Sequence, residues 1–389
     1  MKQQKNNQTI ERKMKVLTHS TWLASCLTAM ALPTVTAQAG PSSEPAGVVY
    51  TADNATGTNH ILEFIRKANG TLEAPTVVAT GGAGTGASLG NQGGVLLTSD
   101  GRWLIVANAG SDDISVFAAT DSGLQLTDRV GSQGQLPISL TLHGDLLYVL
   151  NAGGEAGGTD SIAGFVFAFG HLFPLPGATS ALSANNTDPA EISFTSDGDT
   201  LVVTEKGTGL IDTFTVDDLG IASLAKTYSS PAPPPYGFAA GKDDRIYVTQ
   251  AAGGAGNPGA SSVSSYNVRA DGRLDPISVS VPTFQTAACW LVLSRGEQFA
   301  YAANTPNDSV SSFRVRNNGR LELLKSKAAL PGAGSHPAEM GVSLNDQFLY
   351  TLNGNGSISA YRITSFDGIL TPAAQVSGLP TTLNGLAVR

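Results

Sequence analysis

Two carboxylates fall at the same place in a repeating pattern. Glu191 and Glu339 each sit a few residues ahead of an Asp-Gly-type turn. Alignment of the repeats on that turn brings Gly94, Gly237 and Cys289 to the same position, with Asn91 and His336 three residues earlier. Paired carboxylates can share a proton, activate a water or hold a hard cation. A second polar series closes the following segment of each repeat: Asp53, Asn108, Asn151, Glu205, Gln250, Asn304 and Asn353, with Lys206 directly after Glu205. The simplest role for such strand-end Asn residues is to hydrogen-bond their own turns. If they face a ligand instead, Asn91, Asn108, Asn151, Cys289, His336 and Asn353 would line its site. Glu191 or Glu339 would then activate water, with Asn304 and Lys206 polarising or anchoring a carbonyl.

Other chemistry is weakly supported. The mature chain has His60, His143, His171 and His336, with no i,i+2 or i,i+4 pair, and Cys289 as its sole thiol. That pattern does not describe a zinc site, and no metal ligand set and no cofactor are assigned. A divalent cation on Glu191, Glu339 and neighbouring Asn is the remaining metal option. Cys289 beside Trp290 lacks a paired His and reads as a small packed residue. Gly86-Ala87-Ser88-Leu89-Gly90 matches a nucleophile elbow, but that motif requires a strand–turn–helix context, which this Gly-rich stretch lacks.

The elements that position these groups come from a phrase repeated seven times. It centres on Tyr50, Ile105, Tyr148, Val202, Tyr247, Tyr301 and Tyr350, spaced 43 to 55 residues apart. Each copy is an apolar run ending on a polar residue. An earlier run and an Asp-Gly turn precede it, as in Gly94–Thr98 before Ser99-Asp100-Gly101. A run such as Ile114–Phe117 or Val310–Phe313 follows, then another Gly turn at Gly123, Gly272, Gly319 or Gly368. Asp-Gly between apolar runs is a hairpin signal, because the turn needs positive φ. Four antiparallel strands per repeat of this length make a propeller blade. The expected fold is an all-β, seven-bladed propeller. The C-terminal run Leu383–Val388 reads as a first strand that completes the N-terminal blade and closes the ring.

This topology predicts a loop-rich face, carrying 81–94, 152–160, 231–235 and 251–261, and an opposite face of tight turns. Function is expected on the loop-rich face.

Residues 1–39 are expected to be a signal peptide, with Lys2, Lys5, Arg12, Lys13 and Lys15, an apolar core from Trp22 to Leu32, and cleavage after Ala39. Leu23-Ala24-Ser25-Cys26 resembles a lipoprotein box, but the apolar run follows it rather than precedes it. The core is too short to span a membrane. Residues 40–389 then form one propeller domain, secreted or periplasmic and expected to be monomeric. It carries 18 basic and 30 acidic residues, a formal −12, which disfavours nucleic acid as a partner. A lone mature cysteine permits no intramolecular disulfide.

The repeats resemble the lactonase family of seven-bladed propellers, which includes 6-phosphogluconolactonase-like proteins and the fungal carboxymuconate-cyclising enzyme. The resemblance spans about 46–389. It rests on Ser99-Asp100-Gly101-Arg102-Trp103-Leu104-Ile105-Val106-Ala107-Asn108, on Asn317-Asn318-Gly319-Arg320-Leu321 and on Ala270-Asp271-Gly272-Arg273-Leu274. It implies hydrolysis of a lactone ring at the channel mouth by a His, two Arg and a Glu. Here the Pro-His motif falls on Pro137-Ile138 and the Pro-Arg-His motif on Pro189-Ala190-Glu191. The Asn-Glu pair falls on Glu205-Lys206 and the Asn-Arg pair on Asn304-Thr305. Without the Arg clamps an anionic lactone is poorly served. The alternative is a non-catalytic propeller that binds a glycan, peptide or protein on its loop-rich face.

Overall fold

The computed structural model describes residues 44–389, so the expected signal peptide and Cys26 lie outside the described residues. Seven four-stranded antiparallel sheets form the blades. Blade 1 runs from the channel outward as Asn384–Val388, Pro45–Ala52, His60–Lys67 and Thr76–Ala79. The innermost strands of blades 2 to 7 are Val95–Leu97, Pro137–His143, Pro189–Phe194, Pro235–Gly241, Ala288–Leu293 and Pro337–Val342.

The ring closes as the sequence predicts. Val388 pairs with Val49 and Ala387 with Tyr50, antiparallel. The N–H of Arg389 donates to Val48 O at 2.8 Å, and buried Arg66 donates through Nε to Arg389 O at 3.1 Å. Closure satisfies an inner edge that would otherwise present bare backbone groups.

Because each strand alternates between two sheet faces, its apolar residues meet those of the next blade. The buried side chains accordingly group into seven clusters, one per junction. Val49, Phe64, Tyr350 and Leu386 join blades 7 and 1, and Tyr148, Ile162, Leu201 and Phe214 join blades 3 and 4.

The repeated tyrosine also fastens one blade to the next. Tyr148 Oη donates to Gly220 O (2.7 Å), Tyr301 Oη to Gly368 O (3.2 Å) and Tyr350 Oη to Gly70 O (2.9 Å). Thr127, Thr213 and Ser265 hydroxyls do the same to Gly170, Gly272 and Gly319. These six glycines have φ between 70° and 92°. They must be glycine to turn the outer hairpin while presenting a carbonyl to the preceding blade.

Candidate functional site

Inner strands enter from the loop-rich face in a stereotyped way. Leu136, Asp188, Ala287 and His336 hold left-handed backbones, with φ of 47° to 54°, just before their strands. Three of their carbonyls accept the N–H that leaves the second strand: Leu136 O from Ala152, Asp188 O from Lys206 and His336 O from Gly354. A register shift follows at Pro137/Ser139, Pro189/Glu191 and Ala288/Trp290, and similarly at Pro235/Phe238 and Pro337/Met340. Such bulges re-aim the next side chain, here towards the channel. This register corrects the alignment above. Trp290, opposite Ala303, takes the position that Glu191 holds opposite Thr204, and Cys289 is the bulged residue before it.

Blade 2 departs from this pattern. Its inner strand is only three residues long, and Asn91-Gln92-Gly93-Gly94 crosses the channel instead. Gln92 N donates to Ala190 O at 3.0 Å. Its side-chain Nε2 donates to Leu291 O (3.0 Å), Phe238 O (3.2 Å) and Glu191 Oε1 (3.3 Å), while Oε1 accepts from Leu291 N at 3.1 Å. Gly93 N donates to Glu339 Oε1 at 2.8 Å. Asn91 Nδ2 donates to Ile138 O, and Trp290 Nε1 donates to Asn91 O at 2.7 Å. One segment therefore ties blade 2 to blades 3, 4, 5, 6 and 7 and plugs the channel. Gly237 makes room for it: a Cβ there would lie 2.4 Å from Gln92 Oε1.

The two carboxylates meet this plug. Glu191 is 7% exposed and accepts Phe238 N at 2.6 Å as well as Gln92. Burial pushes its carboxyl well above the usual range; the Phe238 N–H partly offsets this, and the charge of Glu339 adds to it. Burial likewise pushes Glu339 up to about 7 against the N–H groups of Gly93, Leu386 and Gly385. Their partners are N–H donors, which offset part of the cost of burying the charged form. Among the described residues no three His, Cys, Asp or Glu side chains converge as a metal site.

The remaining candidates separate into a rim and a set of clasps. At the rim, Lys206 Nζ contacts Asp188 Oδ1 (2.9 Å), Gly90 O (2.8 Å) and Pro189 O (3.0 Å), which engages all three ammonium hydrogens. Cys289 is buried, and burial raises its thiol to about 12, so it remains protonated and a poor nucleophile. His336 is exposed, and its N–H donates to Asp308 Oδ1 at 2.8 Å.

Asn108, Asn151, Asn304 and Asn353 do not line the channel. All are 0% to 2% exposed inside their blades. Asn108 Nδ2 reaches Ser115 Oγ at 2.8 Å, Asn304 Nδ2 reaches Ser311 Oγ at 2.9 Å, and Asn353 Nδ2 reaches Ser359 Oγ at 3.0 Å. Asn151 Nδ2 bonds Ser132 O at 3.3 Å. These residues clasp the second strand to its outer neighbours, so Asn304 is not placed to polarise a ligand. The recurring Ser six or seven residues after Asn was the sequence signal for this role.

Below the plug the channel widens into a cavity of about 490 Å3. Gln92 and Glu191 form its inner end, and Leu97, Val292, Leu386 and Val388 form its walls. It opens past Arg295 and Glu297 on the tight-turn face, not the loop-rich face where function was expected. Sequence reasoning missed Gln92 and Arg295. No local signal marks either, since blade 6 also opens its inner strand without proline, on Ala288.

Replacing Gln92 with Ala is expected to cost about 2–4 kcal/mol. It strands the N–H of Leu291, the carbonyls of Phe238 and Leu291, and Glu191. Denaturant unfolding measures the loss, and a midpoint unchanged from wild type would show that the plug contributes nothing to stability.

Solved structures similar to this one share its architecture at low identity. A Bacteroides fragilis protein proposed to be a 6-phosphogluconolactonase is 20% identical, with a TM-score of 0.66 over 90% of this chain and 100% of its own. The periplasmic gluconolactonase PpgL of Pseudomonas aeruginosa is 16% identical, with a TM-score of 0.67 over 88% of this chain and 98% of its own. Among curated proteins none matches the sequence. The family model for the lactonase seven-bladed β-propeller matches residues 46–156 and 223–342. With its seven closed blades, the chain belongs to the lactonase family of seven-bladed β-propellers.

Proposed function

We propose that this protein is an exported hydrolase that opens a neutral lactone ring in the central channel. The observation that carries this reading is the buried carboxyl of Glu191 at the inner end of a cavity of about 490 Å3, a size that suits a small ligand. Family membership supplies the reaction class. Ionised Glu191 would take a proton from water as the water oxygen bonds to the lactone carbonyl carbon. The ring C–O bond then breaks, and the carboxyl returns the proton to the departing alkoxide. Gln92, whose amide bonds the same carboxyl, fixes its orientation.

A neutral substrate suits the inner end of the cavity, where no basic side chain lines the wall beside Glu191 and Gln92; Arg295 is the one basic residue of the lining and stands at the opening. Ile138, Ala190 and Thr305 stand where the family pattern places its His and Arg residues, and Lys206 is fully engaged at the rim. Export is supported by the signal-like composition of residues 1–39. Among the described residues no helix is long and apolar enough to cross a membrane.

Glu191→Gln is expected to lower kcat for δ-valerolactone at least 100-fold with little change in melting temperature, since Gln keeps the acceptor for Phe238 N. Wild-type kcat should rise with pH through a value above the ordinary carboxylate range, because burial opposes the ionised form. Equal turnover by wild type and Glu191→Gln would remove Glu191 from the reaction.

The missing guanidinium and imidazole groups favour a second reading, a propeller that binds its ligand without turning it over. Saturable binding of a lactone by purified protein, with no hydrolysis at any pH, would select it.

A further inference from the structure

Beside the channel opening lies a second depression, a groove of about 920 Å3 between blades 2 and 3. Leu96, Leu97, Thr98, Ser99 and Arg295 line both it and the channel cavity, so the two spaces adjoin. The far end of the groove is aromatic. Trp103 and Phe167 meet edge to face, with ring centroids 5.8 Å apart and planes at 81°. Phe169 lines the same groove from the tip of the hairpin that joins Asp160–Ala168 to His171–Ala181.

Phe169 breaks two rules at once. It is 94% exposed, and its φ is 53°. With Gly170 at φ 80° it forms a two-residue turn of positive-φ residues, where Asn before Gly is the favoured pair and a bulky aromatic is an outlier. The tip is held firmly despite this. Gly170 O accepts Thr127 Oγ1 at 2.8 Å, and Gly170 packs on the Trp103 ring so closely that a Cβ would lie 2.2 Å from Cζ3. Phe284 shares this combination of positive φ and exposure, but Phe169 alone of the two lines a groove that adjoins the channel cavity, which makes it the candidate binding element. Arg295 sits where the two spaces join. Its Nη2 bonds Val342 O at 3.2 Å, and the guanidinium offers further donors to a polar linking group.

Building on the hydrolase reading above, we infer that the substrate is a lactone extended by an aromatic substituent. Its ring enters the channel towards Glu191 and Gln92, and its aryl group lies in the groove against Phe169, Phe167 and Trp103. An aromatic tail suits this end of the groove because offset and edge-to-face contacts with the exposed ring are available there.

The test compares δ-valerolactone with a δ-valerolactone bearing a phenylalkyl substituent, and wild type with Phe169→Asn. Asn accepts the left-handed conformation better than Phe, so this variant is expected to melt at or above the wild-type temperature, and any loss of selectivity then reflects the ring. Wild type is expected to favour the aryl lactone at least 10-fold in kcat/KM, and the preference should fall at least fivefold in Phe169→Asn. Equal kcat/KM for the two lactones in wild type, or an undiminished preference in Phe169→Asn, would overturn the inference and leave the hydrolase reading standing. Absence of hydrolysis for both lactones would instead defeat the hydrolase reading. Calorimetric titration with the phenylalkyl δ-lactam then decides the groove: binding weakened at least fivefold in Phe169→Asn upholds the site, and equal or undetectable binding in both proteins rejects it.

Discussion

A chain lacking residues 383–389 loses its cooperative thermal transition. The missing segment supplies the inner strand of blade 1, including buried Leu386, Ala387 and Val388. Each of the larger apolar side chains contributes about 1.5–3 kcal/mol by burial. Two further losses compound this. Arg66, 2% exposed, is left without Arg389 O, and the inner edge of Pro45–Ala52 is opened to water and to other chains. The ring would then be closed only by contacts of blades 7 and 2 with an incomplete blade. Calorimetry of the truncated protein should show no single sharp endotherm, and concentration-dependent aggregation should replace it. A sharp transition within a few degrees of wild type would show that the terminal strand is dispensable. Wild type with Arg66→Met, which keeps the strand but removes its guanidinium contact, should still unfold cooperatively at a lower temperature.

The second large effect is an inverted pH dependence of stability. Glu339 is held near 7 by burial. Asp212 is pushed up to about 8, chiefly by burial and then by the neighbouring Glu205. Glu205 accepts hydrogen bonds from the hydroxyls of Ser183 and Thr208. Both carboxyls bind their protons more tightly in the folded state than in the unfolded chain. Their contribution is therefore fully present below the ordinary carboxylate range and is lost as pH rises towards 7 and 8. For Glu339 alone the change from 4.5 to about 7 corresponds to about 3 kcal/mol. In a domain of this size that lowers the melting temperature by about 4 °C. The melting temperature should fall between pH 5 and pH 8.5, and Glu339→Gln with Asp212→Asn should make the fall shallower, leaving the part that Glu191 supplies. A curve that is flat or rising in wild type would refute the assignment of protonated carboxyls to the folded state.

The parts of this molecule that were legible in the sequence are those set by local rules. The tyrosine phrase marks seven second strands because burial against two neighbouring blades demands an apolar run of fixed length. The Asp-Gly turns mark hairpins because few residues accept positive φ, and closure by the C-terminal strand follows from counting strands. The polar groups were harder to place. Asn108 and Asn304 look like channel residues because they end strands beside the mouth, yet their amides turn outward to Ser115 and Ser311. Cys289 was displaced by one position because a bulge precedes Trp290 and period-two counting cannot register it. Gln92 was beyond local reading altogether. Its partners Glu191, Phe238 and Leu291 lie 99, 146 and 199 residues away. No spacing in blade 2 indicates that the segment should leave its sheet and cross the ring.

That crossing gives the channel a single doorway. A propeller with an open pore lets a ligand enter on one side and leave on the other. Here Gln92, bonded to three other blades, makes the passage a dead end. On the hydrolase proposal, product formed beside Glu191 would have to back out through the opening at Arg295 before the next molecule could enter. Entry and exit then compete for one route, so accumulated product obstructs incoming substrate directly. The loop-rich face, sealed from this traffic, is left to vary in sequence or acquire contacts of its own without disturbing what happens below the plug.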